Sequence, residues 1–234
     1  MPPLALQGSP KMLTERSFMK MTDTAPVVEP VERNPVRTRL AIIDAATEEF
    51  AALGLGGARI DNIAARAGIN KRMLYYYFGN KEDLFQAVLE RAYDSIRTAE
   101  QNLHLDELDP ATAIRQLVTF TWQYYLDHPE FLTLLNSENL HQGVHLKDVA
   151  GLQRTNFPLV DTLDRILEHG RKNGTFRSGV DPVQLYISIA ALSYFYLSNN
   201  FTLSKIFARD LMQEKAKAER LSHMTDLVLG YLLR

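Results

Sequence analysis

From about residue 37 onward, apolar positions recur every three to four residues, and no stretch alternates with the period of two that marks a half-buried strand. Leu40, Ile43, Ala46, Phe50 and Leu53 predict a first helix over about 37–53, which Gly54 ends. Ile60, Ile63, Ala64 and Ala67, at i, i+3, i+4 and i+7, predict a short second helix that buries one stripe. Gly68 tolerates the left-handed backbone that stops a helix, and Asn70 is a good N-cap for the next one. That third helix begins near Lys71. It turns Lys71, Arg72, Tyr75 and Tyr76 outward while Leu74 and Phe78 pack back onto the second. Two helices joined by so short a turn form a helix-turn-helix, the geometry that lays one helix in a DNA major groove.

A fourth helix starts near Lys81 and continues past Arg97, carrying Leu84, Phe85, Val88, Leu89 and Tyr93, and its length joins two domains as one rigid element. Further helices are predicted over about 112–126, over 130–140 after Pro129, and over 146–172, with a kink or restart at Asn156-Phe157-Pro158. Two more run from Asp181-Pro182 to Asn200 and from about 213 to 233. The segments 182–200 and 214–233 are apolar on more than one face, as expected of helices that bury one side in their own core and another on a partner. The expected fold is all-α, with a leader over 1–34, a three-helix DNA-binding domain with its connecting helix over 35–95, and a helical effector-binding and dimerisation domain over 96–234.

Composition narrows the function. The chain has 234 residues, 46% of them hydrophobic, enough for a small DNA-binding domain and a helical domain of ordinary size. A net charge of −2 argues against a generally basic nucleic-acid coat protein. Between positions 33 and 89, however, eight Lys or Arg stand against six Asp or Glu, so positive charge is concentrated near the helix-turn-helix. Without cysteine there is no disulfide, thiolate chemistry or Cys-based zinc site. No apolar run approaches a membrane span, and a cytosolic location is expected. The leader has four methionines, five prolines and no helical period, and reads as disordered or as sequence upstream of a later start.

The run from Arg59 to Glu82 resembles the DNA-binding domain of the tetracycline-repressor family, and the resemblance extends upstream through Ile43-Asp44-Ala45-Ala46, Phe50 and Gly54, and downstream through Lys81-Glu82 and Leu84. Departures are visible. Ala58 and Arg59 stand where the family usually has Thr or Ser, so helix two lacks a hydroxyl cap; Asn70 replaces a Ser, and Arg72 stands where the family often has Gly. The resemblance implies a homodimer on a palindromic operator in double-stranded DNA, released by a small-molecule effector. The stretch from His128-Pro129-Glu130 through Pro158 to Leu185–Leu192 further resembles the subgroup containing the regulators of pyrimidine use and nicotinate degradation, which implies a small aromatic or heteroaromatic acid as effector. An architectural DNA-binding protein of the same fold, with no effector, is the alternative.

Lys71 and Arg72 are the expected base readers, long enough to reach guanine O6 and N7. Tyr75, Tyr76, Tyr77, Lys81 and Arg59 are expected to hold phosphates, with a core role the competing reading for Tyr77. Arg37 and Arg39 are expected on an arm along the backbone or in the minor groove. For the effector, Trp122, Tyr125, Asn136, Asn139, Phe157, Tyr194 and Asn199 combine apolar walls with polar groups, although each alone is as well explained by core packing. Glu138, His141 and His145 have the i, i+3, i+7 spacing of a zinc site, but Gly143 interrupts the helix they would need, so no metal is expected. No cofactor and no catalytic constellation are predicted.

Overall fold

The structure is a computed structural model describing residues 34–233 except 147 and 148, with side chains described outside 147–157. Apart from Asn34, the expected leader lies outside the described residues. Helices α1 (Pro35–Gly57), α2 (Ile60–Arg66), α3 (Lys71–Phe78) and α4 (Lys81–Gln101) come first. They are followed by α5 (Pro110–Asp127), α6 (Pro129–Leu140), α7 (Val149–Lys172), α8 (Pro182–Ser198), α9 (Asn200–Ile206) and α10 (Glu214–Leu232). Among the described residues extended pairing is limited to one isolated bridge, Phe176 to Leu233.

Two apolar cores organise these helices. The first is built by Ile42, Ala46 and Phe50 of α1, Ile60 and Ile63 of α2, Leu74 and Phe78 of α3, and Leu84, Phe85 and Leu89 of α4. At its centre Phe50 and Phe85 meet edge to face at 5.1 Å. The second gathers Ile96, Trp122, Tyr125, Phe131, Leu163, Ile189 and Val228 from α4, α5, α6, α7, α8 and α10, with Phe176 from the turn after α7. Helix α4 therefore serves both cores, as its length led one to expect. Helix α6 does so as well: Phe131 and Leu132 belong to the second core, whereas Leu134 is fully buried in the first.

Several expectations need correction. Leu40 and Leu53 are exposed, because the buried stripe of α1 is turned toward Ile42, Ala45 and Glu49. Arg37 and Arg39 lie on α1 itself and not on an extended arm: Asn34 Oδ1 accepts from the Val36 amide at 3.0 Å, and Pro35 occupies the first turn, where its missing N–H costs nothing. Helix α7 does not restart at Pro158 but runs through it. The sequence also gave no warning of α9, whose Phe201 is exposed.

Candidate functional site

Local chemistry sets the geometry of α2 and α3. Gly68 adopts φ 66°, and the Ile69 amide returns to the Ala64 carbonyl at 3.0 Å, closing α2. Asn70 Oδ1 then accepts from the Met73 amide at 2.8 Å and starts α3. The hydroxyl cap that α2 lacks is replaced from α1. Glu49, buried beneath the turn, accepts from the Arg59 amide at 3.1 Å and from Asn62 Nδ2 at 2.9 Å. Burial opposes its charge, but these bonds and the Arg66 and Arg59 guanidinium groups outweigh burial and hold the carboxyl below its usual range.

Leu74 and Phe78 bury one side of α3, and the other side is open. Tyr76 is 84% exposed and Tyr75 is exposed beside it, while Tyr77 is half-buried against the first core and meets Tyr76 edge to face. Lys71 and Arg72 are both exposed but differ in partners. Lys71 Nζ lies 3.1 Å from Asp61 of α2, whereas Arg72 pairs with no other described residue. The Arg39 guanidinium lies over the Phe78 ring at 4.8 Å, Arg37 and Arg59 are exposed, and Lys81 is half-exposed at the start of α4.

The residues nominated for the effector do not converge. Trp122 is buried edge to face with Tyr196, and Tyr125 is buried in a stack on Phe131 at 5.7 Å. The Tyr194 hydroxyl donates to Asn136 Oδ1, which joins α8 to α6. Asn139 is exposed and bonded to the Leu135 carbonyl, and Asn199 is bonded to the Phe195 carbonyl. The Phe157 side chain lies outside those described. Glu138 and His145 form a closed pair instead of a metal site: the carboxylate accepts from the His145 amide at 2.8 Å and meets Nδ1 at 2.7 Å, while His141 Nδ1 is turned to the Ser137 carbonyl. Among the described residues no group of three ligands could hold a metal ion.

The polar centre of this half lies elsewhere. Arg97 and Glu100 of α4 are buried together, and Arg97 donates both to Glu100 and to the Tyr186 hydroxyl of α8. Tyr93, Tyr124, Tyr125 and Phe131 form an aromatic cluster near this pair, with Tyr93 and Phe131 at 5.9 Å. Burial pushes the Tyr124 hydroxyl up to about 12. Their i, i+3 spacing is common to exposed pairs on helices, so no sequence signal marks Arg97 and Glu100 as buried.

Models of the bacterial regulatory proteins of the tetR family and of the tetracyclin repressor-like C-terminal domain match residues 42–88 and 110–228. The chain belongs to the tetracycline-repressor family. It is 46% identical over 198 residues to the HTH-type transcriptional repressor NicS of Pseudomonas putida, covering 85% of this chain and 93% of that one. It is 30% identical over 157 residues to the HTH-type transcriptional regulator RutR of Escherichia coli K12, covering 67% and 72%. Among solved structures, the ketosteroid transcriptional regulator KstR2 of Mycobacterium tuberculosis shares the fold with a TM-score of 0.62 at 19% identity, covering 84% of this chain and 95% of that one. This tetracycline-repressor family member is a helix-turn-helix transcriptional repressor and not an enzyme. No helix of the described residues is long and apolar enough to cross a membrane.

Proposed function

We propose that the chain is a ligand-responsive repressor that binds a palindromic operator as a homodimer and is released by a small aromatic or heteroaromatic effector. Residues 35–95 serve as the DNA-binding domain and 96–234 as the effector and dimerisation domain. The observation that carries this reading is the two-sidedness of α3, where Leu74 and Phe78 are buried while Lys71, Arg72, Tyr75 and Tyr76 face outward. Arg72 and Lys71 are the base readers, and Tyr75, Tyr76, Lys81, Arg59 and Arg37 hold phosphates.

Dimerisation follows from the outer face of α8. Leu185, Ile189, Ser193 and Leu197 point into the core, while Val183, Ile187, Ala191 and Phe195, at the same four-residue spacing, are exposed. Together with Leu227 and Tyr231 of α10 they make an apolar surface that pairs with its own copy, and two recognition helices then meet successive major grooves about 34 Å apart. The effector binds beside Arg97, where α4 and α7 line a cavity, and shifts α4. Release requires only that it prefer the DNA-free spacing by a few kcal/mol, since coupling equals differential affinity.

Fluorescence anisotropy on the DNA upstream of the gene, at stated salt, with a panel of small aromatic and heteroaromatic compounds, tests the reading. Tight binding reversed by one compound is expected. Binding that no compound reverses removes the ligand-responsive part and leaves an architectural protein of the same fold.

A further inference from the structure

Three large apolar side chains stand outside both cores on the segment that joins α8 to α10. Phe201 and Ile206 of α9, and Phe207 just past its end, are 79%, 71% and 66% exposed. The segment that carries them is anchored. Asn199 is the boundary residue of both α8 and α9, and the Leu203 amide returns to the Asn199 carbonyl at 2.9 Å. On the inner side of α9, Leu203 and Ser204 are half-buried, and the Ser204 hydroxyl accepts from the Leu211 amide at 3.2 Å. Leu211 is buried and fastened in turn to α8, where the Tyr196 hydroxyl donates to its carbonyl at 2.8 Å. The two rings and the isoleucine are thus held outward on a fixed scaffold, which loses little freedom when its surface is covered.

The size of the surface says what covers it. Taking roughly 200 Å2 for a large side chain, these three residues expose on the order of 400 Å2. The outer residues Val183, Ile187, Phe195, Leu227 and Tyr231 of α8 and α10 are each 44–59% exposed and add on the order of 450 Å2. The two surfaces are neighbours, because Asn199 donates both its amide and its side chain to the Phe195 carbonyl, so that α9 begins one turn beyond the last ring of the α8 surface. Either part alone falls within the roughly 300–600 Å2 of the largest apolar patch on an ordinary monomer, and together they exceed it. A standard interface buries about 800 Å2 per partner, a little over half of it apolar, which the α8 and α10 residues barely supply. Permanent homodimers bury more than about 1,000 Å2 per partner, about 65% of it apolar, which is reached only when α9 is added.

We propose that α9 docks on a second copy of this chain, with Phe201, Ile206 and Phe207 of each protomer buried against the other, and that this contact makes the dimer a permanent one. The inference rests on the homodimer reading above and extends it from α8 and α10 to α9. A two-fold interface is self-complementary, so an apolar surface that continues one already turned toward the other copy is met by the same kind of surface. Lys205 and the Arg209–Glu219 ion pair stand exposed beside the apolar residues and form the polar rim that such a patch carries.

Sedimentation equilibrium of the full chain and of a Phe201→Ser, Phe207→Ser double variant tests the assignment. Buried aromatic anchors dominate interface energetics, so the dimer Kd should rise at least about 100-fold in the double variant. Operator affinity should fall in step, since a lone protomer presents one recognition helix. Far-UV circular dichroism checks that the double variant keeps its helix content. A second readout does not depend on that variant. The chain has no cysteine, so Phe201→Cys carries a unique thiol for an environment-sensitive dye. Its emission should be that of a buried dye in the dimer and should shift to that of a dye in water when Ile187→Glu separates the protomers. Water-like emission in the dimer, or a double variant that dimerises as tightly as the parent, would each overturn the proposal. A parent chain that sediments as a monomer removes the homodimer reading and this inference with it. A dimer broken by Ile187→Glu but not by the double variant removes this inference alone, and one broken by the double variant but not by Ile187→Glu keeps α9 in the interface and moves the rest of it off α8.

Discussion

Replacing Asp61 with asparagine releases Lys71, and the size of the effect follows from the geometry of the pair. Lys71 Nζ stands 3.1 Å from Asp61 Oδ1, with 49% of the lysine side chain and 72% of the aspartate side chain exposed. A pair so open to water is worth about 0–1 kcal/mol. A cation placed on a base edge gains about 1–3 kcal/mol of discrimination, so DNA outcompetes Asp61 and the pairing taxes binding by at most about 1 kcal/mol, roughly fivefold in Kd. Asp61→Asn should therefore tighten operator binding by up to about fivefold at low salt, with the gain shrinking as the pair is screened. Asp61 also sits in the first turn of α2, where it favours the helix dipole by a few tenths of a kcal/mol, too little to unfold the domain. Anisotropy on operator DNA, run as a double-mutant cycle with Lys71→Ala, is the assay. The gain should largely disappear in the Lys71→Ala background. If it persists there in full, Asp61 acts only as a general repulsive charge, and the assignment of Lys71 to the DNA fails. Arg72 has no such competitor among the described residues, so Arg72→Ala should cost the whole contact, about 1–3 kcal/mol.

Glu49→Gln should lower stability at pH 7 by about 1–2 kcal/mol, measured by urea unfolding, because it weakens the bonds that hold the start of α2. The folded carboxyl lies below its ordinary value of 4.5, so this contribution is present above about pH 4.5 and is lost as pH falls through the folded value; variant and parent should converge in acid, and a gap that persists there would count against the charge. Ile187→Glu places a carboxylate on the outer face of α8, and burying it unpaired costs on the order of 3 kcal/mol, so light scattering should show the dimer dissociating more than about 100-fold more readily. An unchanged dimer would move the interface off α8. Gly170→Ala drives a Cβ into the ring of the fully buried Phe176, and overpacking of about 1–3 kcal/mol should outweigh the ~1 kcal/mol that Ala gains in a helix. In a Phe176→Ala background the same change should stabilise, and destabilisation there would refute the clash.

The open face of α3 was legible because everything that sets it is local: the helical period, the Gly68 stop and the Asn70 cap lie within a dozen residues. Glu49 was half legible. The absence of Thr or Ser at Ala58 and Arg59 announced an unfilled cap, but that a carboxylate of α1 fills it depends on how α1 crosses α2. The Arg97, Glu100 and Tyr186 cluster was hidden, since an Arg and a Glu at i, i+3 near the end of a helix normally stay in water, and their burial is decided by α5, α7 and α8 packing over them. The sequence likewise marked Asn139 and Asn199 as polar groups among aromatics, yet both satisfy themselves on the carbonyl four residues back along their own helix, a local bond that no hydrophobic pattern distinguishes from one made across a cavity.

The same limit applies to how the two halves communicate. Sequence pointed to α4 as the connecting rod, but a rod anchored in both cores can only tilt, and what it tilts against is α6. Within one turn of α6, Phe131 stacks on Tyr125 beside the Arg97 cluster and Leu134 is buried in the core of the helix-turn-helix. Farther along, Ser137 Oγ accepts from the Leu55 amide at 3.3 Å, five residues ahead of α2, and Glu138 holds His145 edge-on to Phe85 of α4. A ring entering beside Arg97 therefore presses on α4 directly, and α6 is tied to the aromatic cluster next to Arg97 by the stacking of Phe131 on Tyr125. Close-packed interiors do not absorb such displacement in voids, so the two helices must shift together or against each other. Moving together would carry the whole DNA-binding half as one body and change the separation of paired recognition helices. Moving against each other would strain Leu55 and the start of α2 and tilt α3 within its own half. The shared burial of Leu134 and Phe85 in one core opposes the second motion, which leaves a change of spacing between recognition helices as the cheaper route to releasing DNA.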